Sequence, residues 1–158
     1  MATKTKVNPR VVKGHMETAN VLIANGASWN AGQFLHTVSG GLTASASDAV
    51  NYKYQALTTQ TDPGNATTYA KVGVITNEVE FEINELDATS SSAAWIGGIY
   101  GIDVTSNVVT LDVGETSAVS LQVVDIASNY EEIKNAAADT YPVVRVKVIQ
   151  SILDAAGS

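Results

Sequence analysis

Glu78, Glu80 and Glu82 form a carboxylate row at every second position of the sequence. Carboxylates held close together bind metals or share acid–base work. Residues two apart on one strand face, however, lie about 7 Å from each other. That is too far for a shared metal or a retaining acid pair. The row reads either as a solvated sheet face that discourages edge aggregation or as a negative strip for a basic partner segment. The arm of a neighbouring copy is one such segment.

The other groups that do chemistry are sparse. His15 and His36 are the only histidines, and His36 sits inside an expected strand. No nucleophile-elbow, H-E-x-x-H or calcium-loop spacing accompanies them. With no cysteine there is no thiolate nucleophile, disulfide or Cys-ligated zinc. The glycine-rich stretch Ile96–Gly101 lacks the lysine and the following helix of a phosphate loop, so a close backbone crossing or a bulge explains it better. Asn65-Ala-Thr67 is a glycosylation sequon without a secretory signal, because the best apolar run after the positive start is only Val21–Ala24. The expectation is a chain without catalytic, cofactor-binding or metal-binding residues.

Strands must position these groups. Glu78–Ile83 alternates, with Val79, Phe81 and Ile83 on one face and the glutamates on the other. Further short runs rich in β-branched and aromatic residues are Gln33–Val38, Tyr52–Leu57, Lys71–Thr76, Ile99–Val104, Val108–Val113, Val119–Ile126 and Val143–Ile149. Ser106-Asn107 and Gly114-Glu115 supply turns between them. Two pieces read as helical, Ser128–Ala138 and the stub Ser151–Ala156. The fold class expected is mainly β, a small barrel or sandwich with one or two short helices.

With 45% apolar and 16% charged residues, the 158-residue chain is globular rather than disordered. Its net charge of −7 disfavours nucleic acid, and no apolar run is long enough to span a membrane. The charge is uneven. Residues 1–20 hold Lys4, Lys6, Arg10 and Lys13 against Glu17 alone, a net +3, whereas the rest, with 5 basic and 15 acidic groups, carries −10. Pro9 and Gly14 argue against a helix there. Residues 1–20 therefore read as an extended basic arm, either frayed or ordering on a partner, and 21–158 as one β-rich domain.

Trp29-Asn-Ala-Gly-Gln-Phe-Leu35, Gly40-Gly41 and the Ala/Ser run to Asp48-Ala49 resemble the opening of head decoration (cement) proteins of tailed bacteriophages. The resemblance continues through Ala56-Leu57, Val72-Gly-Val-Ile75 and Tyr141–Val148. It implies a compact, non-catalytic β-tulip, commonly a homotrimer, on the outer surface of the virion head. The implied partner is the phage major capsid protein, with the arm reaching across its subunits. On that reading Lys4, Lys6, Arg10, Val11, Val12 and Lys13 bind the capsid. Trp29, Phe34, Glu78, Glu80 and Glu82 are candidates for the oligomer or capsid interface. The alternatives are another virion structural protein, such as a tail-tube or fibre-base subunit, or a receptor- or carbohydrate-binding sandwich. In the last case Trp29, Trp95, Tyr52, Tyr54 and Tyr100 would stack on sugars.

Overall fold

A computed structural model describes residues 5–126 and 140–156. In chain order the strands are β1 (Arg10–Lys13), β2 (Glu17–Leu22), β3 (Phe34–Val38), β4 (Gly41–Ala44), β5 (Tyr54–Ala56) and β6 (Tyr69–Val74). Then come β7 (Glu80–Asn84), β8 (Ile99–Thr105), β9 (Val108–Asp112), β10 (Leu121–Ile126) and β11 (Val143–Val148). A 3₁₀ turn at Ala93–Trp95 and the helix α1 (Gln150–Ala155) complete the described elements. The chain is mainly β, in two antiparallel sheets and no closed barrel. The strand order is β1-β7-β11-β10-β8-β9 in one sheet and β2-β6-β5-β3-β4 in the other.

The alternating runs form strands because one face of each is apolar and buries itself. Val79, Phe81 and Ile83 are buried against Val144, Val146 and Val148 from β11. Phe34 carries the five-stranded sheet into this core, stacking on Tyr52 at 4.8 Å and meeting Phe81 edge-on at 5.3 Å. On the far side of β3, Leu35 joins Ile23, Trp29, Leu42, Ala56 and Val72 in a second cluster. Helix α1 seats Ile152 and Leu153 on the first core. The expected helix Ser128–Ala138 falls outside the described residues.

Two expectations are corrected. The first is the separate basic arm: Arg10–Lys13 and Glu17–Leu22 are strands, one in each sheet. Pro9 excludes helix but not an edge strand. It is buried, and its carbonyl accepts a 2.7 Å bond from Gln55 Nε2. Asn8 ties the same segment across the molecule, accepting from the Val109 N–H at 2.8 Å and donating to the carbonyls of Asn107 and Ala31. Gly14 joins β1 to β2 at φ +88°, where a Cβ would lie 2.8 Å from the Glu78 carbonyl oxygen. The second correction concerns Trp29 and Phe34. At 3% and 0% exposure they are core residues of the chain itself.

Candidate functional site

The six-stranded sheet arranges charges in register across its outer face. Arg10 of β1 lies opposite Glu82 of β7, which lies opposite Arg145 of β11, which lies opposite Asp125 of β10. Arg10 Nε donates to Glu82 Oε2 at 2.7 Å, and its Nη2 shares that oxygen. One step along, Glu80 stands between Lys13 and Arg145, each 3.6 Å away. Opposite charges directly across a strand pair stabilise it. Glu80 and Glu82 are therefore not the solvated stripe of the expectation. Glu82 is 6% and Glu80 13% exposed, covered by the chain's own cations, and of the three only Glu78 stays exposed.

The basic residues keep an outward aspect. Arg10 and Lys13 remain 70% and 67% exposed despite their partners. Lys6 stands over the Tyr141 ring at 4.1 Å. Val11 is half-buried and packs on the first core, and Val12 sits at a register shift between Val11 and Lys13. Lys4 lies outside the described residues.

Four strands end the two sheets, and the chain covers two of them itself. The outer edge of β9 is closed by Asn8 at Val109 and by a parallel bridge between Glu85 and Leu111. The outer edge of β4 is closed where the Ala24 N–H donates to the Leu42 carbonyl at 3.0 Å. Along β1 from Arg10 to Lys13, and along β2 from Glu17 to Asn20, no described residue provides such a cover. Just past β2 the Ile23 N–H reaches Thr68 on the inner side, and the alternation of the ladder then turns the backbones of Thr18 and Asn20 outward. The two open edges are consecutive in the chain, joined by Gly14–Met16. An open edge offers unpaired N–H and C=O groups to another chain's strand.

His36 and Tyr52 make their bonds within the chain's own body. His36 Nδ1 lies 3.2 Å from Ser45 Oγ, and burial holds its pKa below the usual imidazole value. Tyr52 is fully buried and donates to Ser120 Oγ at 2.8 Å; burial pushes its hydroxyl pKa far up. Trp29 and Tyr52 are therefore closed to sugar stacking. Of the two readings of Ile96–Gly101, the glycines make the bulge: Gly97, at φ +84°, and Gly98 together stand opposite Val123 and bond it. Among the described residues no group of three His, Asp or Glu is placed to hold a metal ion. No described helix is long and apolar enough to cross a membrane.

Sequence reasoning missed Glu85. It is fully buried after β7, where its carboxylate accepts the Ala88 N–H, the Asp87 N–H at 2.7 Å and the Val113 N–H at 3.5 Å. Its one signal in sequence is a fourth acidic residue just past an alternating strand. Burial raises its pKa above the ordinary 4.5, and the backbone bonds only partly offset this. A carboxyl whose folded pKa is raised favours folding when protonated, and that contribution fades as pH rises through the folded value. The stability of the wild type relative to Glu85→Gln is therefore expected to fall as pH rises from below 4.5 toward neutrality. Glu85→Ala, which strands three N–H groups, should cost about 1–3 kcal/mol in urea unfolding.

Comparison of the chain with protein-family models, with curated proteins and with solved structures finds no match.

Proposed function

We propose that the chain is a head decoration (cement) protein of a tailed bacteriophage. It binds the outer surface of the expanded capsid as a homotrimer and staples neighbouring major capsid protein subunits against internal DNA pressure. The observation that carries this reading is the pair of open, consecutive edges β1 and β2 on a body that covers its other two sheet edges itself. The family resemblance of Trp29–Leu35 and Tyr141–Val148 supports it. An extended capsid segment would add to the open edge, with backbone bonds supplying affinity and side-chain pockets supplying register. Arg10 and Lys13 lie beside that edge and favour an acidic segment.

Strand addition to a preformed edge differs energetically from docking of a free arm. Ordering a flexible arm costs roughly 1–2 kcal/mol per residue. Here β1 and β2 are already ordered, so only the capsid segment loses freedom. Three such contacts per trimer would act together, since each one after the first is intramolecular.

Thr18→Pro tests the edge directly. Proline at an outward-facing position removes a free N–H without breaking the ladder to β6. The variant should melt like the wild type and co-sediment with expanded empty capsids about tenfold more weakly, the worth of one strong backbone hydrogen bond. Capsid binding unchanged in a folded Thr18→Pro protein would remove β2 from the docking surface.

A further inference from the structure

We infer that Asn25–Gly26 is a site of slow spontaneous deamidation and that the Asp62 carboxylate restrains it. Asn25 is the only asparagine in the chain followed by glycine. Both residues are exposed, at the centre of a turn in which the Ala27 N–H donates to the Ala24 carbonyl at 3.0 Å. Gly26 has φ +89°, the second central position of a type II turn, so glycine is what this turn demands. Nothing lies within 4 Å of where a Cβ on Gly26 would stand. The backbone nitrogen after Asn25 is therefore unshielded by any side chain of its own.

The reaction needs only water. The Gly26 nitrogen gives up its proton and attacks Cγ of Asn25. The bond from Cγ to the side-chain nitrogen breaks, and ammonia leaves with the proton. Water then opens the cyclic imide at either carbonyl, giving aspartate or isoaspartate. Asp62 Oδ1 accepts the Gly26 N–H at 2.9 Å and the Gly64 N–H at 2.9 Å. This bond holds the proton that must leave, and the carboxylate's negative charge opposes the amide anion.

The position gives the modification a structural consequence. Ala24 and Ala27 are buried beside Ile23 and Trp29 in the second core, and Ala24 closes the β4 edge at Leu42. Isoaspartate at position 25 lengthens the main chain between those two anchors. The deamidated molecule would carry one more negative charge, a looser turn and a less well covered β4 edge.

The experiment incubates intact protein at neutral pH and follows isoaspartate at position 25 by peptide mapping. A free Ala-Asn-Gly-Ala-Ser peptide sets the unrestrained rate. Wild-type protein is expected to react about tenfold more slowly than the peptide, the low end for a hydrogen bond to a charged group. Asp62→Ala should close most of that gap, and Asp62→Asn, which keeps an acceptor without the charge, should fall between. Circular dichroism checks that each variant is folded; if Asp62→Ala is not, the Asp62→Asn rate decides. Variants reacting no faster than wild type, or wild type reacting as fast as the peptide, would overturn the inference.

Discussion

Replacing Trp29 with alanine is expected to remove about 3–5 kcal/mol of stability, the range for deleting a buried tryptophan. The ring is 3% exposed and packs among Ile23, Leu35, Leu42, Ala56 and Val72. Its Nε1 donates to the Thr58 carbonyl at 3.1 Å, and its backbone pairs with Gln60. The substitution therefore leaves a cavity and removes the indole's bond to Thr58, while the backbone pairing with Gln60 remains. Equilibrium unfolding in urea should show the whole loss, and it should not depend on protein concentration. An interface residue would behave in the opposite way, with a stable monomer and a dissociated oligomer.

Removing residues 1–14 should cost roughly 3 kcal/mol or more. That figure reflects the lost bonds of this segment to β7, Gln55 and Val109, at about 0.5–1.5 kcal/mol each, since Arg10 itself is largely exposed and its ion pair screened. Glu82 loses its nearest cation and Glu80 loses Lys13. The truncation also strips β7 of an edge partner, takes the Pro9 carbonyl from Gln55 Nε2, which keeps only that of Gly32, and removes the Asn8 acceptor of the Val109 N–H. A chain beginning at His15 should thus melt well below the full chain. Equal melting temperatures would mean that β1 is an appendage, and that the ion pairs across β7 contribute nothing.

Much of this architecture was legible in the sequence. Glu80–Asn84 and Val143–Val148 declared themselves because each has one wholly apolar face, and Ser106-Asn107 supplied its turn at φ +52° and +61°. Arg10–Lys13 did not, because four residues interrupted by a register shift give no period, and Pro9 and Gly14 signal only the absence of helix. The glutamate row was visible but not its cover. Arg10 and Arg145 flank Glu82 through pairings 72 and 63 residues apart in the chain, and no local pattern encodes a strand order. Trp29 was misplaced for a related reason: the residues that bond it, Thr58 and Gln60, are polar and distant in the chain. The open edges belong to topology alone.

Electron microscopy of expanded empty capsids mixed with the purified chain tests the central claim most directly. The account predicts extra density on the shell exterior, fitted by the two-sheet body with Arg10–Asn20 against a capsid strand. Bare shells at saturating protein, or the same body docked through a different face, would contradict it.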